Sequence, residues 1–228
     1  MHTKSHVEKR IKQIKRRTRR RYNTEEKITR NITILVVVLF SVLLPNDTLQ
    51  IDLKQSQIEW IGRKVTGKHT GTLDLLEGWV LMDRNIPIRG RFIFDMTTLS
   101  NTDIEFPQWK LKLENHLKSN DFFYVDSFPQ VILEINGNKS ILEEDNSDFK
   151  HQIKADLTIR NITHEITIPY ELVKSDGIFR AEGYVDVDRT LYNIQYKSGM
   201  FFHDLGDKLI DDNFTIQFKV YTQLTQIR

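Results

Sequence analysis

The chain has 228 residues, 39% of them hydrophobic, with 33 basic and 31 acidic side chains and no cysteine. These figures exclude a disulfide scaffold, an acylated lipoprotein and a multipass membrane protein, and the length permits one or two ordinary domains. The net charge of +2 hides a split, because Met1 to Arg30 carries 12 Lys/Arg against 3 Glu and leaves −7 on residues 31 to 228.

The basic stretch runs into an apolar segment from Ile32 to Leu44, stopped by Pro45-Asn46-Asp47. Such a segment is short for a membrane span and fits the apolar region of a secretory signal. Basic residues before it hold that end in the cytoplasm, so the body beyond is expected to be exported. No small-x-small cleavage site follows, which leaves an uncleaved anchor through residues 32–44 as the alternative. An acidic body behind the apolar run reads the basic stretch as targeting, not as a nucleic-acid patch. The chain is thus divided into a targeting segment, 1–47, and one domain, 48–228.

From Thr48 onward the dominant period is two. Ile153, Ala155, Leu157 and Ile159 alternate with polar residues, and so do Ile166, Ile168, Tyr170 and Leu172. The same pattern marks Ile58/Trp60, Leu73/Leu75, Phe92/Phe94/Met96, Val131/Leu133/Ile135, Phe179/Ala181/Gly183/Val185 and Phe214/Ile216/Phe218/Val220. Each is a half-buried strand. Turn signals at Gly78, Asn85, Gly137-Asn138, Asn161 and Asp176-Gly177 separate them. About eight strands joined by short turns predict an all-β antiparallel barrel or sandwich. One segment, Pro107 to Leu117, breaks the rhythm and predicts a short helix with Trp109, Leu113 and Leu117 on its apolar face.

An eight-stranded barrel is either filled by its own side chains or holds one small ligand. The inward set is almost wholly Ile, Leu, Val, Phe and Trp, with Ala155, Ala181 and Gly183 as its small members. Periodicity reports which side a residue faces, so both readings stand at this point. The loop aromatics Phe122-Phe123-Tyr124 and Met200-Phe201-Phe202 are expected to bury against the barrel ends, as a plug or as a mouth.

Of the body's histidines, His69, His116, His151, His164 and His203, none forms a His-x₃-His or His-Glu-x-x-His pair. The chain has no nucleophile elbow and no phosphate-binding glycine loop. No catalytic residue, metal ligand or cofactor is expected.

Specific words in the sequence go further. Ile58 to Thr72 (IEWIGRKVTGKHTGT), Gly90 to Met96 (GRFIFDM), His116 to Val125 (HLKSNDFFYV), Ala155 to Thr163 (ADLTIRNIT), Asp188-Arg189-Thr190, and Tyr196 to Gly199 leading to Leu205–Asp212 resemble the YceI-like family. The resemblance spans 51 to about 222. It implies an eight-stranded, lipocalin-like antiparallel barrel with one short α-helix, exported to the bacterial periplasm, and an amphiphile such as a polyisoprenoid bound in the barrel. Asn161 departs from the glycine usual there, a change that a positive-φ turn tolerates.

The ligand expected is therefore a hydrophobic small molecule, an isoprenoid or other long-chain lipid. Trp60, Leu73, Phe92, Phe94, Leu133, Ala155, Leu157, Ile168, Phe179, Phe214 and Phe218 are the candidate lining residues. His116, Phe122, Phe123, Arg189 and Phe201 are the candidates for the mouth or the head group, although His116 and Arg189 are also read as structural pins. The oligomeric state, a dimer included, is left open.

Overall fold

The computed structural model describes residues 47–136 and 151–224. The basic tail, the apolar segment 32–44 and the Gly137-Asn138 turn lie outside the described residues. Nine strands follow in chain order: β1 Asp47–Gln50, β2 Gln57–Lys64, β3 Gly67–Asp83, β4 Ile86–Asn101, β5 Gln130–Asn136, β6 His151–Ile159, β7 Ile162–Ser175, β8 Ile178–Asp188 and β9 Ile210–Tyr221. Helix α1, Pro107–Lys118, lies between β4 and β5.

All pairings between the strands are antiparallel, and the sheet closes on itself. β3 pairs with β4 on one edge and with β2 on the other, and β2 pairs with β9. β1 runs along the same edge of β3 as β2, opposite Trp79 to Met82, so the two share one strand position. The result is a barrel of eight strand positions, the architecture expected from the sequence.

Three of its hairpins are two-residue turns whose central residues both have positive φ: Arg84-Asn85, Arg160-Asn161 and Asp176-Gly177. Type I′ turns demand that geometry because their twist matches the twist of the flanking strands. Asn161 therefore does what a glycine would do there.

Gly78, expected to mark a turn, lies inside the 17-residue strand β3. A Cβ on Gly78 would come within 2.8 Å of the Ile51 side chain. The glycine permits a close approach and not a reversal of the chain. The change of face between Leu75 and Val80, which imitates a turn in the sequence, comes from a register shift between Leu75 and Glu77. Bulges of this kind bend long strands so that they can wrap.

Helix α1 begins with Pro107 at its first turn, as expected, and lies over one end of the barrel. Leu113 and Leu117 pack on the core. Trp109 does not join them: it is 55% exposed, with the Lys112 ammonium 5.3 Å from its ring centroid. The glutamate one turn from Leu117 explains the choice of face, since Glu114 accepts hydrogen bonds from the Ser100 hydroxyl and the Asn101 backbone N–H. That anchorage rotates Trp109 to the solvent.

Gly71 is a second site of close approach. A Cβ there would clash with the Ser100 carbonyl oxygen and the Trp60 indole, whose Nε1 donates to that same carbonyl at 3.2 Å. Gly71→Ala is expected to cost about 2 kcal/mol through this overpacking. Urea denaturation measures the loss, and unchanged stability would show that the indole can move aside.

Candidate ligand cavity

Alternation along the strands delivers the apolar wall. In β9 Phe214, Ile216, Phe218 and Val220 all face inward, and in β4 Phe92, Phe94 and Met96 do the same. The cavity that they bound has a volume of about 310 Å³. Its wall runs from Met82, Pro87, Ile135 and Thr222 at one end to Leu113, Leu117, Phe122 and Phe123 under the helix at the other. Of the expected lining residues, Trp60, Leu73, Phe92, Phe94, Leu133, Leu157, Ile168, Phe179, Phe214 and Phe218 form part of this wall.

Ala155 does not. It is buried among Ile135, Ile153, Ile168 and Tyr170, whose larger side chains cover it. Its strand parity is inward, yet it lies a layer behind the void.

The mouth candidates divide in the same way. Phe122 and Phe123 line the cavity. His116 does not: its ring packs edge-on against Phe122 and Tyr196, with centroids 5.0 and 4.8 Å away, and its Nε2 lies 3.0 Å from an Asp121 carboxylate oxygen. It is a pin of the helix cap. Phe201 and Phe202 are 42% and 48% exposed and remain outside the barrel end, contrary to the burial expected of loop aromatics. Their loop is tied by Ser198, whose carbonyl accepts from both of their N–H groups, and this turn points the rings outward.

Arg189 touches the wall but is 3% exposed and makes four hydrogen bonds. Its Nε donates to the Asp211 carbonyl at 2.9 Å and Nη1 to the Ile194 carbonyl at 2.9 Å. Its Nη2 reaches the Ile210 carbonyl at 3.1 Å and an Asp212 carboxylate oxygen at 3.2 Å. Burial lowers the pKa of this guanidinium, and the carboxylates of Asp212, Asp188 and Asp211 work against that shift. With its donors so used, it is a structural tie and not a head-group ligand.

Apart from Arg63, Lys64, His69, Arg189 and Asp211, the described wall has one ionisable side chain, Tyr170. Burial pushes the Tyr170 hydroxyl up to about 12, so this phenol of the wall stays neutral at any physiological pH. Apart from Thr222 at the other end, the polar residues of the wall that sequence reasoning missed gather at one place: Arg63, Lys64, His69, Asp211 and Asn213. They stand at strand ends, where alternation lapses, so no periodic signal marks them.

His69 leads to a small network at the helix end. Its Nδ1 lies 2.9 Å from Asp103, which also accepts from the Thr70 backbone N–H at 2.8 Å and from Asn101 Nδ2 at 2.6 Å. Burial opposes ionisation of Asp103, but the bonds from Thr70, His69 and Asn101 outweigh it and hold its carboxyl below the usual carboxylate range.

A closed antiparallel barrel around a largely apolar cavity is a barrel of lipocalin-like architecture. The sequence matches the YceI-like domain over residues 49–222. The chain belongs to the YceI-like family. Two solved structures share the fold. Burkholderia cenocepacia BcnA is 14% identical with a TM-score of 0.57, covering 76% of this chain and 99% of its own. A polyisoprenoid-binding domain from Saccharophagus degradans is 10% identical with a TM-score of 0.54, covering 77% and 97%. No curated protein sequence matches the chain.

The Asp103 network yields a pH prediction. A carboxyl whose pKa is lower folded than unfolded stabilises the fold above the unfolded value of about 3.9, and the contribution is lost as pH falls through the folded value. Asp103→Asn is therefore expected to lower the melting temperature at neutral pH and to flatten its fall on acidification. A parallel acid limb in the two proteins would contradict this.

Proposed function

We propose that the barrel is a non-catalytic carrier that holds a polyisoprenoid or another long-chain amphiphile, working in the periplasm. The observation that carries the reading is the cavity of about 310 Å³ with a hydrocarbon wall running along the barrel. A barrel serving only as a solid interaction module needs no such void, and its side chains would meet at the centre. Cavities of about 300–1,000 Å³ are the usual seat of small ligands. Each methylene buried there contributes about 0.8 kcal/mol. The Saccharophagus degradans neighbour, a polyisoprenoid-binding domain, adds support for the class of ligand.

Export rests on the basic stretch and the apolar segment 32–44, with retention as a membrane anchor the alternative. Fractionation followed by N-terminal sequencing decides between them. A mature chain starting near residue 46 excludes the anchor.

Organic extraction and native mass spectrometry of the protein made with its own export segment are expected to reveal a bound amphiphile. A protein that carries none, and takes up no added polyprenol, would sink the carrier reading. Two substitutions sharpen it. Ala181 lines the cavity, so Ala181→Trp is expected to weaken polyprenol binding about tenfold or more while the fold persists. Ala155→Trp, at a position already covered, is expected to cost about 1–3 kcal/mol of stability instead.

A further inference from the structure

Most residues of the cavity wall are buried or half-buried. Among the described residues that line it, only Arg63, Lys64, Asp211 and Asn213 are exposed. All four flank one place in the sheet. There β2 and β9 lose register: Gly62 pairs with Phe214 and Lys64 with Ile210. Arg63 alone therefore faces the three residues Asp211 to Asn213. Three against one interrupts the ladder at this place.

The groups freed by this break have other partners. Arg189 takes the carbonyls of Ile210 and Asp211 and the carboxylate of Asp212. A buried side chain from the preceding corner thus holds the bulge away from β2. Gly62 stands at the threshold. It follows Trp60 by two residues, so it shares the inward face, and a Cβ on it would find nothing within 4 Å.

The helix end is built differently. Leu113, Leu117, Phe122 and Phe123 cover the cavity there, and α1 is fastened to β4. Lys118 Nζ donates to the Thr97 carbonyl at 2.7 Å, and Glu114 binds Ser100 and Asn101.

We propose that the ligand enters and leaves through a side port between β2 and β9, its polar end resting on the rim of Arg63, Lys64, Asp211 and Asn213, while α1 is a fixed plug. An amphiphile cannot bury its polar end in an apolar void without cost, so that end rests where the void meets water. The rim supplies hydrogen-bonding side chains at that place, and the other described residues of the wall are buried or half-buried. The port rests on the carrier reading, and the test separates the two.

The chain has no cysteine, so introduced pairs can be cross-linked in the full chain without side reactions. Lys64→Cys with Asp211→Cys, joined by a short bismaleimide, ties the port. Thr97→Cys with Lys118→Cys, joined in the same way, ties α1 to β4. Uptake and release of a dansyl-labelled geranylgeranyl chain are followed by fluorescence. The port lock is expected to slow both steps about tenfold or more, and the helix lock to leave them within about twofold. Gly62→Phe, whose ring fills the open threshold, is expected to slow uptake without any cross-link and without a lower melting temperature. Equal slowing by the two locks, slowing by the helix lock alone, or full-rate uptake in Gly62→Phe overturns the port. A wild-type protein that takes up none of the probe overturns the carrier reading and the port with it.

Discussion

Closure of the sheet is the constraint from which the other properties follow. Because β3 pairs with β4 on one side and β2 on the other, and β2 with β9, the ring of backbone hydrogen bonds has its own integrity. Its interior volume is set by strand number and tilt, before any side chain is chosen. A helical bundle must fill its centre to hold together. A closed barrel need not, since the ladder satisfies the backbone whether or not the middle is packed. Here the inward Phe, Leu and Ile side chains bury one another in three clusters around the wall and leave a void between them.

Closing a twisted sheet also imposes local exceptions, and these fall into two kinds. The register shifts between β3 and β4 bend the two longest strands. Gly71 and Gly78 serve the same bending by letting Trp60 and Ile51 come close. The break between β2 and β9 is of the other kind. It lies over exposed side chains, and it is maintained by Arg189, one of the few buried charges of the fold. Replacing a ladder by guanidinium bonds costs desolvation that a simple continuation of the strands would avoid. The sequence thus keeps an expensive arrangement beside the exposed residues of the cavity wall.

Much of this was legible in the chain and some was not, for identifiable reasons. Period two assigned the face of Phe92, Phe94, Leu133, Phe214 and Phe218 because side-chain direction in a strand is a local property. Asn85, Asn161 and Asp176-Gly177 marked their turns because positive φ is also local. Depth is not local: Ala155 has the right parity and still lies behind larger neighbours. Nor is pairing, so Gly78 imitated a turn, and nothing adjacent to Arg63 in sequence reveals that β9 bulges opposite it. Trp109 and Phe201 looked apolar enough to bury, but hydrogen bonds made by Glu114 and Ser198 settled which way their segments face.

The separation of a largely apolar interior from a polar rim also limits what the site can discriminate. Tyr170 stays neutral and Arg189 is engaged by three carbonyls and the Asp212 carboxylate, so the charges left to meet a ligand are those of the rim. Along the tunnel, free energy accumulates by the methylene, which makes length and bulk the variables of selection. At the far end Met82, Pro87, Ile135 and Thr222 are buried and line the void, so a chain growing inward meets side chains there. A chain too short leaves part of the wall uncovered, and one too long must leave its excess at the rim. Selection by length requires only that one end be stopped and the other open, and the β2–β9 break supplies the open end.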